Sequence, residues 1–144
     1  MASIFKTKVE MMNIIKNFTN ELSQIGFKVD ANGMNVDLGE HAFFIDNELV
    51  GNVYFLYHKD DRSMSQIVTR FNYKVKIYHD IIYIADKVEE EYNINLCDSE
   101  TRYVTEDTVD ILYEIKQKLQ DVYMNYKKAK NKIKEMKMNG DFSE

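Results

Sequence analysis

The chain has 144 residues, 44% of them hydrophobic and including eight Phe and ten Tyr, no proline, and a formal net charge of −5. A chain of this size and apolar content can bury roughly two-thirds of its unfolded surface in one core, which argues against disorder and against a need for staples. Cys97 is the single cysteine, so an intramolecular disulfide and a thiolate metal cluster are excluded, and the N-terminal residues up to Lys6 and Lys8 form no signal-peptide core.

No run of eighteen apolar residues occurs, so the expectation is a soluble cytoplasmic protein with one domain over residues 1–144. The charge is unevenly laid out. Residues 79 to 107 hold nine acids and two bases, whereas residues 127 to 137 hold six lysines against Glu135 alone.

Ile4, Met11, Ile15, Phe18, Leu22 and Ile25 recur at three- and four-residue steps, the spacing of one apolar face of a helix, and Gly26 stands where an αL cap would end it. Phe27 and Val29 then alternate with polar residues, as do Met34, Val36 and Leu38. Asn32-Gly33 between them is a strong hairpin signal, because a type I′ turn needs positive φ at both central positions. Ala42–Ile45 and Leu49–Tyr57, separated by Asp46-Asn47-Glu48, extend an antiparallel meander.

After a polar loop, His58 to Ser65, the alternation of Ile67, Thr69, Phe71, Tyr73, Val75 and Ile77 predicts the longest strand. Ile77, Ile81, Ile84 and Val88 fall at helical spacing, which predicts a helix from an Asp80 cap to about Tyr92. Residues 93–104 read as an irregular connection with a short strand at 101–104.

A last helix is expected over 106–138, capped by Thr105. Leu112, Ile115, Leu119, Val122, Tyr126, Ala129, Ile133 and Met136 form an unbroken heptad seam. At 1.5 Å per residue this helix is roughly 50 Å long, longer than the roughly 37 Å sphere expected of the domain, and so overhangs or oligomerises. The fold class is therefore α+β: an N-terminal helix, a four- to five-stranded antiparallel meander and two further helices.

The glycines, at 26, 33, 39, 51 and 140, make neither a GxGxxG nor a phosphate-binding loop. Each histidine adjoins an acid: Glu40-His41, His58 with Asp60 and Asp61, and His79-Asp80. The spacing completes no metal or catalytic geometry, so no cofactor and no metal are expected. Asp98 and Glu100 disfavour a thiolate at Cys97.

These patterns point to a non-enzymatic protein-binding module, an adaptor or an inhibitor of phage or mobile-element type, acting through its sheet and last helix. The partner is another protein or a second copy, met at Val122, Tyr126, Lys130, Ile133, Met136 and Lys137. Two alternatives stand beside it. One is a nucleic-acid or acidic-surface binder using the C-terminal lysines, and the other is an enzyme built around His58 and His79.

Overall fold

The computed structural model describes residues 8–31, 39–58, 60, 64–105 and 108–142. In chain order these form α1 (Lys8–Ile25), β1 (Lys28–Asp30), β2 (His41–Ile45), β3 (Glu48–Leu56), β4 (Gln66–Ile84), β5 (Lys87–Val104) and α2 (Asp110–Phe142). The fold is α+β: a helix, a five-stranded antiparallel meander in the order β1-β2-β3-β4-β5, and one long C-terminal helix.

The periodicity of α1 works as the sequence indicates: Met11, Ile15, Phe18 and Leu22 are buried on one face. The helix stops at Gly26, where the N–H groups of Gly26 and Phe27 both donate to the Leu22 carbonyl at 3.2 and 3.1 Å. Gly26 adopts φ +132° rather than the αL value, and a Cβ there would collide with the Tyr123 ring. That close approach lets Phe27 pack edge-on against both Phe43 (5.9 Å between centroids) and Tyr123 (5.5 Å), joining α1, β2 and α2.

The β2–β3 turn is Asp46-Asn47, both at positive φ (47° and 69°), the type I′ geometry that suits strand twist. Gly51 of β3 lies under the Phe43 ring of β2, and a Cβ there would also collide with the Arg70 carbonyl of β4, so the ring and the paired strands close on the bare backbone. The expected turn at Asn32-Gly33 and the alternating Met34, Val36 and Leu38 lie outside the described residues.

Two expectations are corrected. The segment from Asp80 to Tyr92 is not helical: β4 continues to Ile84, turns at Ala85-Asp86, and returns as β5 through residues 93–104, so the fold has two helices rather than three. Ile77, Ile81, Ile84 and Val88 match a helical spacing by coincidence. The run Ile81-Ile82-Tyr83-Ile84 is β-branched and aromatic, which suits a pleated strand, and pairing with β5 decides the outcome.

The last helix also starts later, at Asp110, and ends at Phe142. Thr105 is not its cap: the Thr105 N–H donates to Thr108 Oγ1 at 2.8 Å, and its carbonyl accepts the Thr108 N–H at 3.1 Å, a separate turn preceding the helix.

The core is one layer of side chains between the sheet and the two helices. Phe43, Val53, Ile67, Phe71 and Val104 from the strands meet Met11, Ile15 and Leu22 of α1 and Ile115, Leu119 and Val122 of α2. Each large aliphatic or aromatic side chain taken from water contributes about 1.5–3 kcal/mol, so α2 docks through its seam and not through helix propensity. No helix among the described residues is long and apolar enough to cross a membrane.

Two stability predictions follow from this architecture. Thr69 is fully buried and its hydroxyl has no hydrogen-bond partner. Thr69→Val keeps the shape and removes the unpaired group, and should raise stability by about 1 kcal/mol in urea titration. Ala85 and Asp86 both hold positive φ (48° and 67°), a conformation that alanine resists. The double substitution Ala85→Asn, Asp86→Gly should slow amide exchange of residues 77–94 by a factor of several, equivalent to about 1 kcal/mol.

Candidate functional site

β4 and β5 are 19 and 18 residues long, far beyond their neighbours. β3 pairs with β4 only as far as Gly51↔Phe71, whereas the β4–β5 ladder runs on to Ile84↔Lys87. At 3.4 Å per residue, the part of β4 beyond Phe71 extends the sheet by roughly 44 Å as a two-stranded ribbon. Asp98, at φ +60° where the ladder omits the Tyr73–Asp98 pair, marks the base of the ribbon, and its carboxylate reaches Lys74 at 3.0 Å.

Directly opposed residues of an antiparallel pair share a face. The face continuous with Phe71 and Glu100 carries Val75 and Leu96, Ile77 and Ile94, His79 and Tyr92, Ile81 and Glu90, then Tyr83 and Val88. The other carries Lys74 and Cys97, Lys76 and Asn95, Tyr78 and Asn93, Asp80 and Glu91, Ile82 and Glu89, then Ile84 and Lys87. From the Val75–Leu96 pair outward, one face is therefore apolar apart from His79 and Glu90. The other gathers the carboxylates.

Near the base, Val75, Ile94 and Leu96 are half-buried against the core. Farther out nothing covers the apolar face among the described residues: Ile81, Val88 and Tyr83 are 52%, 60% and 76% exposed. His79 stacks on Tyr92 with ring centroids 4.6 Å apart and lies 3.7 Å from the Glu90 carboxylate.

The helix α2 crosses the sheet on its buried seam instead of following the ribbon, and charge pairs line its path. Lys118 Nζ donates to Glu100 at 2.8 and 3.1 Å, Arg102 reaches Glu100 and Glu114 at 3.3 and 3.5 Å, and Lys116 lies 3.5 Å from Glu21 of α1. Farther along, Lys130 pairs with Asp46 in the β2–β3 turn. α2 thus starts over β5 and passes the β2–β3 turn at Lys130. An open notch of about 630 Å³ remains where the ribbon base meets the helix, lined by Tyr73, Ser99, Glu100, Lys118, Asp121 and Asn125.

The sequence-derived partner residues on α2 separate by burial. Val122, Tyr126 and Ile133 are buried, Lys130 and Met136 are half-buried, and Lys137 is exposed. The seam is thus covered by the chain itself as far as Ile133. Among the described residues, Lys128, Lys132, Lys134 and Lys137 pair with no acid.

The residues considered for chemistry are not brought together. His58 follows β3, and its N–H donates to Ser65 Oγ at 2.9 Å; His79 sits thirteen residues beyond Gln66 on the same ladder, roughly 40 Å away. Cys97 is on the opposite face of the ribbon from His79, and His41 bonds the Gly39 carbonyl at 2.8 Å. Among the described residues, no three His, Cys, Asp or Glu side chains are grouped to hold a metal ion.

The ribbon is the feature that sequence reading missed. Its signal was present: below the misleading helical spacing, Tyr92, Ile94 and Leu96 alternate with polar residues, as strands do. Family models, curated proteins and solved structures include none that matches this chain.

The charge pairs also set an acid sensitivity. Lys118 donating to Glu100 holds that carboxyl below the ordinary glutamate range, against the opposing effect of burial, and Lys130 does the same for Asp46. A lowered folded-state value gives stability that is complete above the unfolded value and disappears as pH falls through the folded one. Glu100→Gln should therefore lower the melting temperature at neutral pH and flatten its decline between about pH 5 and about pH 3, followed by circular dichroism.

Proposed function

We propose that this chain is a non-enzymatic protein-binding module, an adaptor or inhibitor, whose binding element is the β4–β5 ribbon. The observation that carries this reading is the exposed apolar group Ile81, Tyr83 and Val88 at the outer end of one ribbon face, in line with the half-buried Ile77, Tyr92 and Ile94 nearer the domain. An exposed apolar patch of this kind, interrupted only by His79 and Glu90, costs solubility unless a protein surface covers it, and strand faces bind partners through side chains at alternate positions. The separation of His58, His79 and Cys97 supports a binding role over a catalytic one.

The uncompensated lysines at 128, 132, 134 and 137 favour a second reading, contact with an acidic surface or nucleic acid. Two features weigh against it. The segment offers no arginine fork for phosphate or base edges, and the ribbon beside the domain carries Asp80, Asp86, Glu89, Glu90 and Glu91, which repel a polyanion.

Affinity capture with the full chain from its native cell separates the readings. The triple variant Ile81→Ser, Tyr83→Ser, Val88→Ser should lose at least tenfold of a stoichiometric protein partner while the melting of the domain stays unchanged. Retention by that variant, with loss on Lys132→Glu, Lys134→Glu and steep salt dependence, transfers the function to the helix.

A further inference from the structure

We propose that the open edge of β4 beyond Phe71 takes up an extended segment of a partner protein as an added strand, one with acidic side chains at alternate positions. The inference rests on the reading that the ribbon is the binding element, and it names what the ribbon recognises and how.

The edge exists because β3 leaves the sheet early. Its pairing with β4 ends at Gly51↔Phe71, and Leu49 and Glu48 pair with Phe44 and Ile45 of β2 instead, beside the Asp46-Asn47 turn. β4 runs on from Asn72 to Ile84, and among the described residues no strand meets the side that β3 has left. There every second residue turns both its N–H and its C=O outward, an arrangement that an incoming strand completes. A third strand is also what a two-stranded ribbon lacks.

At the fork where the strands part lies a pocket of about 300 Å³, whose lining includes Leu49, Val50, Asn52, Arg70, Asn72 and Ser99. Its charge is that of Arg70. The guanidinium stands exposed between Asn52 of β3 and Thr101 of β5, and in the next row Ser99 Oγ donates to the Asn72 side-chain carbonyl at 3.0 Å, which leaves the Asn72 amide nitrogen as a donor. A carboxylate on the added strand opposite Asn72 meets both groups, since diagonal neighbours on one face lie within reach of a long side chain.

Charge selects the occupant. Arg70, Asn72, Lys74, Lys76 and Tyr78 share the outward face, and their partners on β5, Thr101, Ser99, Cys97, Asn95 and Asn93, bring no acid to it. Asp98 pairs with Lys74, whereas Arg70 and Lys76 pair with no acid among the described residues. Lysine on an open edge turns most strands away, and a strand that carries carboxylates converts that guard into attraction.

On the inward side of the same stretch stand Tyr73, Val75 and Ile77, so the fitting segment alternates acidic with apolar residues. The free edge of β5 has the opposite sign, with Glu89, Glu90, Glu91, Asp98 and Glu100 against Lys87 and Arg102. An acidic strand therefore goes to β4.

The probe is a capped peptide alternating Glu and Val over about seven residues, the span from Asn72 to Tyr78, titrated into the full chain and followed by fluorescence anisotropy. It should bind at least tenfold more tightly than the same peptide with Lys in place of Glu. The double variant Arg70→Glu, Lys76→Glu should weaken it at least tenfold, while Lys134→Glu on α2 should leave it within about twofold. Amide exchange should slow on alternate residues from Asn72 to Tyr78 and not along the free edge of β5, and melting by circular dichroism is the folding control.

Equal affinity for the two peptides, or protection along β5 instead, overturns the proposal. If the acidic peptide does not bind while capture from the native cell is still lost by the Ile81→Ser, Tyr83→Ser, Val88→Ser variant, the ribbon remains the binding element and only the added strand is discarded. If capture survives both that variant and Arg70→Glu, Lys76→Glu, the broader reading fails with it.

Discussion

The β4–β5 ladder sets the terms for everything else in the molecule. It pairs Ile67 with Val104 at one end and Ile84 with Lys87 at the other, with the same alternation of faces along its length. Near the first end the inward face is filled by the core, with Ile67, Phe71 and Val104 all buried. Because strand period does not change where the covering helix departs, the same face emerges beyond Val75 still apolar. The ribbon's stickiness is thus the domain core continued past its lid.

The helix cannot follow the ladder outward. Its buried seam packs it across the strands, with the Glu100 cluster meeting its N-terminal half at β5 and Lys130 meeting Asp46 at the β2–β3 corner. A 33-residue helix is roughly 50 Å long, and this one uses most of its seam crossing the sheet, with burial continuing to Ile133. Length alone therefore does not free a heptad seam for a partner. What matters is the direction in which the sheet lies beneath it.

The legible parts of the fold were those where local chemistry and tertiary packing agree. Met11 to Leu22, the Asp46-Asn47 turn, the start of β4 and the α2 seam all carry a period or a turn residue that the structure uses directly. The Ala85-Asp86 turn carries neither: alanine at positive φ announces nothing, and without a turn signal Ile77, Ile81, Ile84 and Val88 read as one helical stripe. Thr105 misled in a similar way, because its side chain suits a cap while its backbone is engaged in a separate turn with Thr108. The ribbon's apolar face was illegible for the same reason as the turn: a face exists only once the strands are paired.

That dependence ties the exposure of the apolar face to folding of the ribbon. The domain gains its stability from residues up to the base of the ribbon, whereas the distal strands contribute exposed side chains and a strained turn, so their opening costs less than global unfolding. Charge reinforces the asymmetry, because Asp80 sits directly opposite Glu91 on the outward face and like charges so placed destabilise a strand pair. The same carboxylates protect the open outer strand, since Glu89, Glu90 and Glu91 deter indiscriminate edge pairing. A partner layer on the inward face relieves the deficit while approaching only Glu90 of these acids. Ordering of the ribbon and binding of its cover are consequently coupled, and any surface that docks there stabilises the arm by the same free energy that the arm lends to affinity.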